Sequence, residues 1–297
     1  MKALDLSSFK KLKILTDEPM KEHISFKLGG KASRFIIADE SEAPALIAEL
    51  NRAGERYAVL GNGSNVLVRD HGFDGTIVKL AVSEPVINGE ELTVGAGTSL
   101  ALTASAAAEQ GLTGLEFAHG IPGSVGGAVM MNAGAYGGEI KDVLVSTVYC
   151  DPQGNVHTLS LEEHNFGYRQ SFFKDHPELL ILKSVFRLSE GDKAEIKEKM
   201  ADLARRRRES QPLDKPSAGS TFKRPEGHFA GKLIQDSNLK GFTIGGAQVS
   251  EKHAGFVINT GNATCADVLA LVEHIKDTVY GNFGVELHRE VKILGEE

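Results

Sequence analysis

The loop Leu60-Gly61-Asn62-Gly63-Ser64-Asn65-Val66 follows a short β-rich run and has the composition of an anion-binding turn. Two glycines allow the backbone to turn sharply and to point successive N–H groups at one anion, commonly a pyrophosphate. Ser64 and Asn65 add side-chain donors. The loop is not a Rossmann fingerprint, because Val66 stands where a third glycine belongs and no helix follows directly. An ordinary glycine turn between two strands is the alternative. The candidate ligand-binding residues are Gly61, Asn62, Gly63, Ser64 and Asn65.

A second stretch, residues 119–138, holds seven glycines in twenty residues and carries no Asp, Glu, Lys or Arg before Glu139. Flexible linkers are polar, whereas this stretch contains Ile, Val and Met, which indicates that it is packed. Packed, uncharged, glycine-dense backbone favours a flat or extended ligand held by main-chain groups. Tight backbone packing between layers is the alternative. The candidate residues here are His119, Gly120, Ile121, Pro122, Gly123, Ser124, Gly126, Gly127, Asn132, Ala133 and Gly134.

The elements that must position these loops are short strands and amphipathic helices. Apolar spacing and glycine stops predict helices at about 41–52, 99–110, 194–210 and 266–280, ending at Gly54, at Gly111 and, for the last helix, at Gly281. Thr264 and Asp267 predict a capping box for that last helix. Strands are predicted at 57–60, 76–80, 92–94, 145–150, 180–188, 241–244, 255–259 and 290–294. Because helices and strands mix without strict βαβ alternation, the fold class is α+β.

The composition limits the classes of function. A chain of 297 residues with 33 basic and 40 acidic side chains has a net charge of −7, which gives no electrostatic footprint for nucleic acid. With only Cys150 and Cys265, we expect neither a disulfide framework nor a metal site, and a reducing compartment fits. The N-terminus lacks a signal-peptide core, and no run approaches the roughly 18 apolar residues of a membrane span. We therefore expect a cytoplasmic protein without membrane insertion.

Five motifs, taken together and in order, resemble the UDP-N-acetylenolpyruvoylglucosamine reductase (MurB) family. They are Gly61–Asn65, His119–Gly138, Gly167–Ser171, Pro216–Lys223 and Leu287–Val291. The similarity covers nearly the whole chain, and its length resembles the shorter family type that lacks a tyrosine-bearing loop. It implies a FAD-binding region of the vanillyl-alcohol-oxidase-like (PCMH) type, made of two α+β subdomains at 1–80 and 81–195. A smaller α+β substrate-binding domain at 196–297 is expected to follow.

The resemblance also implies the reaction and its cofactors. NADPH would reduce non-covalently bound FAD, and the flavin would reduce the enolpyruvyl ether of UDP-N-acetylglucosamine in peptidoglycan precursor synthesis. The cofactor supplies the electron chemistry, so protein groups must stabilise negative charge on the substrate and deliver one proton. Cell wall biogenesis, cell shape and cell division are the processes that such a reaction serves.

The resemblance assigns three catalytic candidates. Arg169 would bind the substrate carboxylate through its planar fork; a surface ion pair is the alternative. Ser220 would give a proton to a strongly basic carbanion, where position matters more than acidity; a turn or helix-cap serine is the alternative. Glu290, at the start of the last predicted strand, would lie near the carboxylate. Its protonation state is open, because Arg289 is a possible ion-pair partner.

Other polar residues have weaker assignments. Tyr168 is a substrate-binding candidate that packs or donates a hydrogen bond beside Arg169, with core packing as the alternative. Lys223, Arg224 and Lys232 are candidates for the UDP pyrophosphate. The basic run Arg205–Arg208 is interpreted as a solvated helix face, with contact to a nucleotide phosphate as the alternative.

Two competing functions remain open at this stage. One is a flavin oxidase of the same fold class, and the other is a non-catalytic FAD- or nucleotide-binding module. We expect small-molecule substrates and a monomer.

Overall fold

The computed structural model describes residues 3–295, which form two compact units. The first unit comprises the described part of Met1–Leu15 together with Arg34–Asn62 and Gly75–Arg207. The second comprises Thr16–Ser33, Gly63–Asp74 and the described part of Arg208–Glu297. Both units mix helices with strands, so the predicted α+β class is confirmed. The three predicted domain boundaries stay a prediction.

The described chain contains seven α-helices. They are α1 Ala43–Ala53, α2 Leu100–Glu109, α3 Val125–Met130, α4 Phe172–Asp175, α5 Lys193–Ser210, α6 Ala230–Asp236 and α7 Cys265–Phe283.

The strands of residues 3–295 are numbered in chain order. They are β1 Lys13–Pro19, β2 Lys31–Ala38, β3 Tyr57–Val59, β4 Val66–Val68, β5 Phe73–Leu80, β6 Val86–Asn88, β7 Glu91–Gly95, β8 Leu112–Thr113, β9 Gly134–Ala135, β10 Gly138–Glu139, β11 Leu144–Cys150, β12 Val156–Ser160, β13 Leu180–Arg187, β14 Ser189–Glu190, β15 Thr243–Ile244, β16 Ala247–Val249, β17 Val257–Asn259 and β18 Lys292–Leu294.

A five-stranded antiparallel sheet organises the first unit, with the strand order β12-β11-β13-β7-β6. Its apolar side chains pack with those of α1, α2 and α3 in one continuous core that includes Leu46, Val94, Leu100, Val129 and Phe186. A four-stranded sheet has the order β1-β2-β5-β3, and within it β3 runs parallel to β5. Burial of these apolar faces is what fixes the loops between the strands.

The second unit is built from a small antiparallel sheet, β15-β16-β17, and the helix α7. Leu271, Val272 and Ile275 of α7 are buried. A separate parallel pair joins β18 to β4, with Lys292 opposite Val66. This pair brings the end of the chain to the first glycine loop.

Local caps explain the helix boundaries that the sequence predicted. Ser99 caps α2 by accepting the Leu102 N–H, and Gly54 ends α1 in the left-handed conformation at φ +67°. The capping box of Thr264 and Asp267 is present at the start of α7. The predicted end at Gly281 is wrong, because α7 continues to Phe283. The left-handed residue that ends it is Gly284, at φ +66°, and an interior glycine costs a helix only about 1 kcal/mol.

Candidate active site

The first half of the first glycine loop lies against the second glycine-rich stretch. A Cβ placed on Gly61 would overlap the Ser124 hydroxyl, so only glycine allows this approach. Ser124 itself caps α3, with its Oγ accepting the Gly127 N–H at 3.3 Å. Within the first unit, the start of the first loop therefore contacts the second glycine-rich stretch at Ser124.

The second half of that loop belongs to the second unit. Gly63 has φ +63°, and a Cβ there would overlap the carbonyl oxygen of His23. The Asn65 carbonyl accepts the Lys292 N–H at 3.1 Å, and Asn65 Nδ2 donates to the Glu290 carbonyl at 3.4 Å. The loop is thus held directly beside the segment that carries Glu290.

Ser220 and Glu290 lie on neighbouring segments of the second unit. The Glu290 N–H donates to the Thr221 carbonyl at 2.9 Å, and the Lys223 N–H donates to the His288 carbonyl at 2.8 Å. Ser220 is exposed, and Gly219 before it has φ +73° with open space on its side-chain face. The structure therefore brings two of the three predicted catalytic residues together, with room for a ligand next to Ser220.

The segment bearing Ser220 is anchored by its neighbours rather than by Ser220. Thr221 is buried, its Oγ1 accepts the Val257 N–H at 3.0 Å, and its own N–H donates to the Gly255 carbonyl at 2.9 Å. Upstream, the Ser217 carbonyl accepts the Ser25 hydroxyl at 2.6 Å. The Ser220 hydroxyl is thus carried on a segment that is fixed on both sides.

Arg169 occupies the corner of a tight turn in the first unit. Gly167 and Gln170 exchange backbone hydrogen bonds of 3.1 and 3.2 Å, and Arg169 has φ +55°. Its Nη2 donates to the Gly134 carbonyl at 3.4 Å, and its guanidinium carbon lies 5.2 Å from the centre of the Tyr168 ring. Arg169 therefore lies against the second glycine stretch, and half-exposed Tyr168 packs on it.

Asn132 ties that turn to the glycine stretch and is itself fully buried. Its Nδ2 donates to the Gly167 carbonyl at 3.1 Å and to Glu139 Oε2 at 3.0 Å, while its Oδ1 accepts the Lys141 N–H at 3.1 Å. All of these side-chain bonds are made within the protein. Asn132 thus reaches a ligand through its backbone or through the turn that it holds.

The three candidates for the UDP pyrophosphate lie in the second unit, whereas Tyr168 lies in the first. Arg224 stacks on exposed Phe229, with its guanidinium carbon 4.0 Å from the ring centre. Lys232 pairs with Asp236 one helical turn away on α6, and the backbone of Lys223 is bonded to His288. Arg224 presents the cation and aromatic face suited to a nucleotide, whereas Lys232 already has a carboxylate partner.

The basic run on α5 divides into two faces. Arg205 and Arg206 are exposed and pair with Asp202 at 2.6 and 2.7 Å, so for them the solvated-face interpretation is confirmed. Arg207 is different, because burial lowers the pKa of its guanidinium and its side chain lies against Gly120. The sequence interpretation missed Arg207. A signal was present, since Arg207 continues the apolar spacing of Ile196, Met200 and Leu203.

The first unit has polar atoms suited to an extended anionic cofactor. Within residues 3–295, the buried atoms His119 Nδ1 and Arg207 Nε have no hydrogen-bond partner, and both flank Gly120. Buried polar groups are normally paired, so unpaired donors beside a glycine stretch fit a bound ligand. FAD fits this site through backbone N–H groups, the Arg207 guanidinium and a glycine-rich stretch without Asp, Glu, Lys or Arg.

Residues 3–295 contain neither a metal-ligand cluster nor a membrane-spanning helix. In the part of the chain from residue 3 to residue 295, no cluster of three or more His, Cys, Asp or Glu side chains is arranged to hold a metal ion. No helix within those same residues is long and apolar enough to cross a membrane.

Comparison with known proteins identifies the family. Residues 33–160 match the model of a FAD binding domain, and residues 211–294 match that of the C-terminal domain of UDP-N-acetylenolpyruvoylglucosamine reductase. The reductase of that name from Caldanaerobacter subterraneus subsp. tengcongensis is 49% identical over 96% of this chain and 95% of its own length. The Agathobacter rectalis reductase is 48% identical over the same shares.

A solved structure agrees with the sequence relatives. The crystal structure of the MurB reductase from Thermus caldophilus matches with a TM-score of 0.80 and 35% identity, covering 96% of this chain and all of that one. The predicted resemblance and the predicted FAD cofactor are both confirmed. This chain belongs to the UDP-N-acetylenolpyruvoylglucosamine reductase family.

Proposed function

We propose that this chain reduces UDP-N-acetylglucosamine enolpyruvate to UDP-N-acetylmuramate with NADPH, using non-covalent FAD, in peptidoglycan precursor synthesis. The observation that carries the proposal is the backbone pairing that holds Ser220 beside Glu290, with Asn65 of the glycine loop bonded to the Glu290 carbonyl. Ser220 and Glu290 carry the proton chemistry that this reduction needs. A FAD-binding module without catalysis would not require that arrangement.

Bound FAD supplies the two-electron chemistry, and the protein groups manage charge and protons. Arg169 binds the substrate carboxylate, where its planar fork donates two parallel hydrogen bonds. As negative charge spreads into that carboxylate in the transition state, the same contact strengthens. The left-handed corner of the turn and the stacked Tyr168 ring restrict the directions that the guanidinium can take.

Ser220 delivers the proton to the substrate carbon, and Glu290 assists at the carboxylate. A serine hydroxyl is a weak acid, but an enolate-like carbanion is strongly basic, so a fixed hydroxyl in contact is a sufficient donor. The exposed position of Ser220 and the open space at Gly219 support its contact with a substrate. Glu290, once protonated, donates a hydrogen bond to the developing charge.

The finer assignments belong to the same proposal. We place the glycine-loop residues at FAD, Tyr168 at the substrate beside Arg169, and Lys223, Arg224 and Lys232 at the UDP pyrophosphate. The protein acts in the cytoplasm as a monomer and contributes to cell wall biogenesis, cell shape and cell division. The net charge of −7 and the two cysteines support that setting.

An anaerobic absorbance experiment tests the function. The bound flavin is reduced with one equivalent of NADPH, and UDP-N-acetylglucosamine enolpyruvate is then added. Return of the oxidised flavin spectrum without oxygen is the expected result. A flavin that recovers its spectrum only when air is admitted would identify an oxidase and overturn the proposal.

A further inference from the structure

We propose that Arg207 is a cofactor-binding residue that holds the pyrophosphate of FAD beside Gly120. The inference rests on the proposed function for the presence of FAD. It assigns a role to a residue outside the catalytic set of Arg169, Ser220 and Glu290.

Helix geometry sets Arg207 apart from its basic neighbours. On α5, Ile196 and Met200 are buried and Leu203 is half-buried, and Arg207 follows Leu203 by four residues on the same face. Arg205 and Arg206 point elsewhere and pair with Asp202. Of this run of arginines, Arg207 is therefore the one directed inward.

Arg207 is half-buried, and the buried part of its guanidinium calls for an acceptor. Its Nε lies out of solvent and has no hydrogen-bond partner among residues 3–295, and burial lowers the pKa of the group. A buried cation is costly unless an opposite charge or acceptor compensates it. Arginine nevertheless stays charged at any working pH, so a negatively charged ligand is the compensation that the site lacks.

The absence of a side chain at Gly120 leaves space for that ligand beside Arg207. A Cβ at Gly120 would lie 3.3 Å from Arg207 Cδ and 3.7 Å from Nη1, so a larger side chain there would press against the arginine and cover its donors. His119 Nδ1, one residue earlier, is also buried and lacks a partner within the described chain. Two unpaired buried nitrogens thus belong to the residue before Gly120 and to the arginine against it, in a stretch without Asp, Glu, Lys or Arg.

Among the anions of this reaction, the FAD pyrophosphate suits Arg207 best, because it stays bound and stays charged. It is charged in every redox state of FAD, whereas the reduced flavin ring is anionic during part of the cycle and substrates come and go. A permanent charge suits a guanidinium whose Nε is permanently out of solvent and unpaired. Phosphate is also the group that arginine binds best through parallel hydrogen bonds.

The test measures the affinity of the apo-protein for each of two flavins, FAD and riboflavin. FAD contains the pyrophosphate, and riboflavin has the same ring without any phosphate. Arg207→Met keeps the apolar stem and removes the guanidinium, while Arg206→Met is the matched control on the exposed face. We expect Arg207→Met to weaken FAD binding by roughly ten- to a hundredfold, as for a lost charge-assisted hydrogen bond, and to leave riboflavin binding unchanged. Arg206→Met should change neither.

Other outcomes overturn the assignment. An equal loss of affinity for FAD and riboflavin, or a shifted midpoint potential with unchanged FAD affinity, would place Arg207 at the flavin ring. Unchanged FAD affinity and unchanged potential would remove it from the cofactor site. If Arg207→Met does not fold, Arg207→Lys keeps the charge and loses the fork, and a selective loss of FAD affinity is expected again. Wild-type protein that binds no FAD would contradict the proposed function instead.

Discussion

The Ser220 hydroxyl is the group whose removal should separate the two halves of the reaction. Ser220→Ala leaves Thr221 and its anchoring bonds intact, so the segment should keep its position. We expect NADPH to reduce the flavin at the wild-type rate and the substrate-dependent reoxidation to slow by about 10²–10⁴-fold, the usual value of a positioned proton donor. Stopped-flow absorbance measures each half separately. Ser217→Ala, in the same segment, is the control and should leave both rates unchanged.

The guanidinium of Arg169 should matter for the substrate and not for NADPH. Arg169→Lys keeps a positive charge but loses the planar fork, which a point charge does not reproduce. We expect kcat/KM for the enolpyruvyl substrate to fall at least about tenfold, a change of about 1.4 kcal/mol, with flavin reduction by NADPH unaffected. Arg187→Lys, at a surface ion pair with Glu91, is the control. Wild-type kcat/KM in Arg169→Lys would contradict bidentate carboxylate binding.

At the scale of elements, Asn132 couples the turn of Arg169 to the β9–β10 hairpin. Asn132→Asp preserves size and tolerates the observed φ of +40°. It would, however, set a carboxylate against the Glu139 carboxylate and the Gly167 carbonyl, both acceptors. We expect a loss of about 1–3 kcal/mol in the free energy of unfolding and a raised KM for the enolpyruvyl substrate, because the turn is released.

Denaturant unfolding and steady-state kinetics test this coupling together. Asn51→Asp is the matched control, because Asn51 Nδ2 also donates to a backbone carbonyl, that of Ile47, at 2.8 Å. It should lower stability without changing KM. If Asn132→Asp loses stability and keeps the wild-type KM, Asn132 supports the fold alone and does not position Arg169.

The elements that the sequence predicted well are those with local signals. The helix α1 follows its apolar spacing and glycine stop, and α7 begins at its capping box. The helix α3 was not predicted, because Gly126 and Gly127 have low helix propensity. It forms since Ser124 caps it and Gly126 packs against Ala96, where a Cβ would come within 2.9 Å. That contact is tertiary, so local propensity does not reveal it.

In the candidate site, too, the sequence predicted the features with local signals and not those that depend on tertiary contacts. Residue types and motif order predicted Arg169, Ser220, Glu290 and both glycine loops. The pairing of Glu290 with Thr221, and of Lys292 with Asn65, joins segments far apart in the chain, and no local pattern encodes it. The last strand was predicted to begin at Glu290 and begins at Lys292 in the structure. Glu290 is not part of it, because its N–H bonds to Thr221 and not to β4.

At the scale of the whole molecule, each compact unit holds a histidine that is best kept neutral, His164 fully buried and His253 half-buried. Burial lowers the pKa of His164 in the first unit and of His253 in the second below the ordinary 6.5. The Nδ1–H of His164 donates to the Ser160 carbonyl at 2.6 Å, and its Nε2 accepts the Thr147 hydroxyl at 2.9 Å. In His253, Nδ1 accepts the Gly255 N–H at 3.1 Å. Both acceptor nitrogens would lose their bond on protonation.

These two histidines should make the stability of the protein fall as the pH drops below neutrality. Below about pH 6.5 the unfolded chain binds a proton at each histidine while the folded chain resists it, so the free energy of unfolding decreases with falling pH. The limit is about 1.4 kcal/mol per pH unit for each group. Carboxylates such as Glu109, whose pKa its lysine partners lower to about 2, stay ionised in the folded chain and contribute only near pH 5, where the unfolded carboxyl begins to bind protons.

Thermal unfolding at pH 7, 6 and 5 measures this dependence, and single variants assign it. We expect the Tm of the wild type to fall steadily, and His164→Gln and His253→Gln each to reduce the slope, whatever their Tm at pH 7. His71→Gln, at an exposed position, should leave the slope unchanged. A slope that only one of the two variants reduces would assign the acid sensitivity to a single unit. A wild-type Tm that is constant from pH 7 to pH 5 would show that both imidazoles accept protons as readily as they do in the unfolded chain.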